Sequence, residues 1–166
     1  MAKWGKYTLA VLLFAWAASL FSMDIINIRR ESELFDLSSW SVVNAGEHYC
    51  RKFYETEKHD AIAETDSGEV THKWGLMGGI CDIGTLSAQE GCEVDFSVQS
   101  RHGEARVLLY DEQSGDIYDE QLEGLHMLSL PQGEYRIYFV GSHFSGTYDM
   151  TYDGGSFALP GEEAAE

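Results

Sequence analysis

From His48 to Tyr152 the apolar residues recur with a period of two. The pattern is broken about every 8 to 12 residues by Gly, Pro, Asp or Ser, as in a chain of short strands and turns. Val94, Phe96 and Val98 alternate with Asp95, Ser97 and Gln99; Ala105, Val107 and Leu109 alternate with Arg106, Leu108 and Tyr110. Tyr135, Ile137 and Phe139 alternate with Arg136, Tyr138 and Val140, and Tyr148, Met150 and Tyr152 share one face. Such alternation marks strands with one face in a core. Weaker strands fall at 49–56, 61–65, 70–77, 117–118 and 126–130. Residues 82–91 read as an excursion between strands, and 141–146 as the last turn. Nothing after residue 47 has both helical caps and helical period. About nine short strands predict an all-β fold, an antiparallel β-sandwich with jelly-roll or Greek-key connections.

The N-terminus is of another kind. Lys3 and Lys6 precede an uncharged run from Tyr7 to Met23, rich in Leu, Ala and Phe. Its 17 residues are the lower limit for spanning a bilayer and long for a signal segment. Ala15-Trp16-Ala17 has the residue sizes of a cleavage site, which would release a soluble chain. Uncleaved, the segment is a membrane anchor with Lys3 and Lys6 inside, although Arg29 and Arg30 weaken that charge bias. Lipid anchoring would need a Cys just after the run, but Met23 and Asp24 stand there and the first Cys is Cys50. The expected organisation is a signal peptide or hydrophobic anchor helix at 1–23, a spacer at 24–46, the β-sandwich at 47–153 and an acidic tail at 154–166. The domain is expected outside the cytoplasm, secreted or held at the membrane.

Charge narrows the partners. The chain carries 11 Lys and Arg against 28 Asp and Glu, a formal −17. Such a balance excludes a nucleic-acid binder that works by neutralising phosphates, and it disfavours anionic lipid surfaces. It suits divalent cations, basic partners or simple solubility.

The stretch Gly133-Glu134-Tyr135-Arg136-Ile137-Tyr138-Phe139-Val140, followed by Gly141 to Phe144 and Ser145-Gly146-Thr147-Tyr148-Asp149-Met150, resembles the closing hairpin of small exported bacterial β-sandwich proteins. It is similar to the jelly-roll domains that follow secreted peptidases. The resemblance covers about residues 90–152. It implies an extracytoplasmic binding or accessory module and brings no catalytic residues with it.

Three Cys permit one intrachain disulfide and one leftover thiol. Cys81 and Cys92 flank the 82–91 excursion and are the favoured pair, with Cys50 as a buried thiol; the alternative is three reduced thiols. A zinc site drawn from His48, Cys50, His59, His72, Cys81 and Cys92 lacks any ligand pair at finger-like spacing. Asp111, Glu112, Asp116, Asp119 and Glu120 are calcium-ligand candidates by their oxygens, but their spacing is not that of an EF-hand, and an acidic hairpin loop around Ser114-Gly115 is the favoured reading. Ser142, His143 and Ser145 near Asp149 lack the register of a nucleophile elbow. The aromatics Trp74, Tyr110 and Tyr138 are candidate sugar-stacking rings, with filling of a small core or cover of a sheet surface as the favoured reading. The expected function is therefore a non-enzymatic binding module that meets a protein or glycan of the cell envelope, without a cofactor unless calcium stabilises it.

Overall fold

The structure is a computed structural model that describes residues 3–46, 48–53, 55–62, 66–121 and 124–161. Helices α1 (Lys3–Phe35) and α2 (Ser39–Ala45) precede six extended elements. These are β1 (His48–Phe53), β2 (Thr56–Ile62), β3 (Ser67–Asp111), β4 (Ile117–Gln121), β5 (Gly124–Leu130) and β6 (Gly133–Ala158). All strand pairings are antiparallel.

β3 and β6 are paths that bend and change layer. Residues 133–144 of β6 lie between 77–88 and 104–111 of β3, while residues 146–153 lie between 67–74 and 93–100. β1 borders 76–80 and β4 borders 106–110, which completes a first layer. β2 borders 67–73 and β5 borders 92–98, which completes a second. Between residues 67 and 153 the chain crosses back and forth between the layers as a jelly roll, and β1 and β2 add one strand to each. Two crossings meet at Gly103, whose φ of +76° and contact with the His143 carbonyl, 2.3 Å from where a Cβ would stand, leave room for no side chain. His143 at the facing crossing also has positive φ. Residues 141–146 are therefore a bent strand crossing, where the sequence predicts a turn.

The two layers share one core. Val70, Trp74, Phe96, Tyr148 and Met150 of the second meet Met77, Ile83, Val107, Ile137 and Phe139 of the first. Aromatic edges close it, with Trp74 and Phe139 centroids 4.7 Å apart and Phe139 and Tyr148 5.5 Å apart. Second-layer strands are buried on one face only, so they alternate as read. The first layer is buried on both. Its outward residues Ile80, Leu108, Tyr138 and Val140 pack with Val42 of α2 and with Leu34, Phe35 and Leu37. A doubly buried strand has no polar face to alternate with. The stretch 82–91, which reads as an excursion, is strand as far as Ala88, and residues 77–84 form a central strand. Within it, buried Asp82 is matched by Arg136 at 2.6 Å and by the Gly84 N–H at 3.1 Å.

The 24–46 segment is likewise no free spacer. α1 continues to Phe35, and α2 is capped by the Ser38 hydroxyl, which accepts from Ser41 N at 3.3 Å, and by Gly46, which donates to Val42 and Val43. The acidic tail also starts later than residue 154, since residues 155–158 pair with 85–88 and Phe157 is buried. The last five residues of the tail lie outside the described set.

The end of α1 is held by polar groups. Glu31 is fully buried and paired with Arg51 of β1. Its other oxygen accepts the His143 backbone N–H at 3.1 Å. Asn27 accepts from the Tyr49 hydroxyl, and the Arg30 guanidinium lies 4.2 Å over the Tyr49 ring. Gly78 makes the seat, for a Cβ there would stand 2.1 Å from the Glu31 carboxyl carbon. The N-terminal part of α1 leaves Leu12, Leu13, Trp16, Met23, Ile25 and Ile26 exposed. No helix among the described residues is long and apolar enough to cross a membrane.

The disulfide joins Cys50 to Cys81, with Cα atoms 5.0 Å apart, and Cys92 is a buried thiol. This corrects the expected Cys81–Cys92 pair. Cys81 lies in a central strand and not at a loop mouth, so its neighbour is the β1 bulge between His48 and Arg51. Closing a loop of 31 residues contributes about 3–4 kcal/mol in the chain-entropy account.

Gly78→Ala should expel the Glu31 carboxylate and lower stability by about 1–3 kcal/mol in urea unfolding. The same change in a Glu31→Ala background should cost less, because the clash is gone. Additive costs would mean that Gly78 is not the seat of Glu31.

Candidate functional site

Since the helices close the first layer, the outer face of the second layer is the broad open surface. Alternation places Glu69, Thr71 and Lys73 on it from one strand and Thr147, Asp149, Thr151 and Asp153 from the next. Glu93, Asp95, Ser97 and Gln99 follow, then Leu125, Met127 and Ser129 at the β5 edge. Thr71 donates its hydroxyl to Asp149 at 2.9 Å, which ties two neighbouring strands. The face is flat in chemistry: among the described side chains it carries hydroxyls, carboxylates, the Gln99 carboxamide, the Lys73 ammonium, and two apolar side chains at one border. Among the described residues it bears no Trp, Tyr or Phe.

A polar cluster sits where the chain passes between the layers. Glu55 accepts from the Trp74 indole N–H at 2.8 Å and from Lys52 at 3.1 Å. His72 stacks on Trp74 at 5.1 Å, with its Nδ1 3.6 Å from the same carboxylate. Burial raises the Glu55 carboxyl, but the indole N–H and the Lys52 ammonium outweigh it and hold the group below its ordinary range. Burial drives His72 down to about 4, the Lys52 charge adding to it and Glu55 opposing. At neutral pH the imidazole is therefore uncharged. Its neighbour Tyr148 is fully buried, and desolvation pushes its hydroxyl upward. With 2% of its surface exposed, His72 cannot reach a solute. The cluster is a polar plug that spans the end of the core, and its chemistry is structural.

Core filling, the favoured reading of the aromatic candidates, holds for two of the three. Trp74 and Tyr138 are 2% and 3% exposed, one in the core and the other beneath the helices. Tyr110 is half-buried, edge-on to Trp40 at 6.2 Å. None presents a flat open ring, so sugar stacking on these three residues is set aside; the helices that cover Tyr138 and Tyr110 could not be seen in strand alternation. Trp40 is the exposed aromatic of this side.

Asp111 is spent on its own turn. It accepts from Gln113 N at 2.8 Å, Ser114 N at 3.2 Å and the Ser114 hydroxyl at 2.7 Å. The Ser114 hydrogen bond holds its carboxyl below the usual range. Glu112 and Asp116 are exposed, and the side chains of Asp119 and Glu120 lie outside the described set. No group of three or more His, Cys, Asp or Glu side chains among the described residues is placed to hold a metal ion. Cys50 and Cys81 are consumed by their disulfide, and the side chains of His48 and His59 are outside the described set. The residues that sequence reasoning missed are Glu31, Arg51 and Gly78; an acid in an amphipathic stretch and one glycine of a pair carry no signal of their meeting.

The chain matches no protein-family model and no curated protein sequence. Solved structures similar to it include an oxalate oxidase in complex with the substrate analogue glycolate, at 13% identity and a TM-score of 0.42. That match covers 64% of this chain and 55% of the oxidase. A cupin 2 domain-containing protein from Halorhodospira halophila matches at 12% identity over 67% of this chain and 71% of its own, TM-score 0.37. A carbohydrate-binding module of Cellvibrio mixtus lichenase 5A, in complex with cellotriose, matches at 8% identity over 64% and 91%, TM-score 0.34. At these identities and scores no ligand, metal or activity is carried over, and the jelly-roll assignment rests on the strand pairing itself.

The depressed His72 pKa has a measurable consequence. The folded chain keeps the imidazole neutral, while the unfolded chain takes up a proton below pH 6.5. This contribution is whole above pH 6.5 and is lost as pH falls toward 4, amounting to about 3 kcal/mol at most. Urea unfolding across that window should show the loss in the native chain and its absence in His72→Phe. Parallel curves would contradict it.

Proposed function

We propose that the chain is an exported, non-catalytic binding module of the cell envelope, secreted or held at the membrane by its N-terminal segment, with the outer face of the second layer as its binding surface. The observation that carries this reading is the asymmetry of the sandwich. One outer face is covered by the chain's own helices, and the other is open and polar. The exposed apolar side chains of α1 favour a lipid or helical environment for that segment. The Cys50–Cys81 disulfide favours an oxidising compartment. Carboxylates dominate the open face, so its partner is a basic segment of an envelope protein rather than a stacked sugar. The chain's only involvement of His72 and Glu55 is structural, and the reading includes no cofactor.

A photoreactive residue at Thr151, introduced into the full chain in the cells that make it, tests this. The protein should be recovered outside the cytoplasm with Cys50–Cys81 oxidised, and illumination should yield an adduct with a basic envelope protein. A reduced cytoplasmic chain, or an oxidised exported chain without an adduct at Thr151, would overturn the reading.

A further inference from the structure

We propose that the Cys50–Cys81 disulfide is a redox latch on α1: its reduction by a dithiol frees the helix end from the first layer. The bond sits where the helix is gripped. Tyr49 donates its hydroxyl to Asn27 and lies under the Arg30 guanidinium, and Arg51 pairs with buried Glu31. Cys50 stands between these two residues and is the covalent link from them to the central strand, through Cys81.

Ladder pairing does not shape this stretch by itself. The register of β1 with β3 jumps between His48 and Arg51, so Tyr49 and Cys50 fall in a bulge with no residue of β3 in register. Tyr49 has a φ of +53°, in the left-handed region that a residue with a Cβ disfavours. The disulfide is the covalent restraint that keeps the bulge in this form. Once it is open, Tyr49 relaxes toward an extended backbone, and its ring and the Arg51 guanidinium leave the places where α1 meets them. Glu31 is then a buried carboxylate without its cation, and moving the helix end into water relieves it. The His143 N–H and the packing of Leu34 and Phe35 are the contacts that still oppose this release.

The two sulfurs differ in access. Cys81 is fully buried, whereas Cys50 is half-buried. A thiolate of the dithiol therefore attacks the Cys50 sulfur. The S–S bond breaks, Cys81 leaves as a thiolate and takes up a proton, and a mixed disulfide joins Cys50 to the reductant. The second thiol of the reductant, as thiolate, then attacks the reductant's own sulfur in that bond. Cys50 leaves and is protonated in turn. The chain has gained two electrons and two protons, and the dithiol ends as a disulfide. In the oxidised form the sandwich is posed rigidly on α1. In the reduced form residues 27–35 join a loose tether, and Ile80, Leu108, Tyr138 and Val140 lose part of their cover. The latch is a property of the fold and stands apart from whatever the open face binds.

The test uses the full chain in detergent micelles, with dithiothreitol as the dithiol. Reduction should quicken amide exchange over residues 27–35 by about 5- to 150-fold, the usual range of coupling between two sites, and leave residues 93–98 and 148–152 at their native rates. The double variant Cys50→Ala, Cys81→Ala should behave in the same way without the reagent. Coupling is reciprocal at equilibrium, so undocking the helix must favour reduction. In a buffered couple of oxidised and reduced dithiothreitol, Glu31→Ala should therefore shift the ratio of oxidised to reduced chain toward the reduced form by a similar factor. Circular dichroism should show these variants folded. Unchanged exchange over 27–35 on reduction would overturn the proposal, as would a native ratio in Glu31→Ala. Equal quickening of 27–35, 93–98 and 148–152 would also overturn it, because the bond would then hold the whole sandwich and not the helix.

Discussion

Glu31 is a carboxylate with no exposed surface, and such a group survives only where other charges and N–H donors replace water. Arg51 and the His143 amide do so, in a space that exists because residue 78 has no side chain. The groups come from α1, β1, β3 and β6. Without Arg51 the Glu31 carboxylate is left buried and uncompensated, so the helix is docked in one place and one register. Asn27, one turn further back along α1, and Arg30 beside Glu31 both meet Tyr49 of β1 and fix the direction of the helix. The Cys50–Cys81 disulfide holds the β1 bulge that presents Tyr49 and Arg51 to the helix.

From that docking the asymmetry of the molecule follows. With α1 and α2 in place, Ile80, Leu108, Tyr138 and Val140 are as buried as the central core. Arg106 donates to the Leu37 carbonyl at 2.5 Å and lies over the Phe35 ring, closing the joint between the helices. The first layer becomes an inner wall. The second keeps one wet face, and it is the face on which a partner can act without displacing part of the chain itself.

The parts of this architecture that were legible in the sequence are those governed by alternation. The strands at 94–98 and 148–152 stand where the period of two puts them because their other face is solvent, and those at 105–109 and 135–139 were legible because Arg106 and Arg136 mark their outer face although the helices cover much of it. The strand at 77–84 was hidden. Its Gly78, Gly79, Ile80 and Cys81 answer to two buried faces at once, and small residues there make room for Glu31 and for the disulfide. Residues 24–46 read as a spacer for a related reason. Leu34, Phe35, Leu37 and Val42 are spread over a helix end, a turn and a short helix, so no single period collects them. The burial of Trp74 and Tyr138 agrees with core filling, but strand alternation, which says which residues share a face and not what covers it, could not show the helices over Tyr138 and Tyr110. The uncharged run at the N-terminus was plain to read, whereas the continuity of its helix into a docked segment was not.

Hydrogen exchange of the full chain, followed by mass spectrometry, tests the docking of α1 most directly. The account predicts that amides of residues 27–35 exchange as slowly as those of the central strand at 77–84, and that Glu31→Ala speeds the first set far more than the second. Rapid exchange over 27–35 in the native chain, at the rate of an isolated helix, would contradict it: the helix would then be a free arm, and the first layer would be open on its outer face.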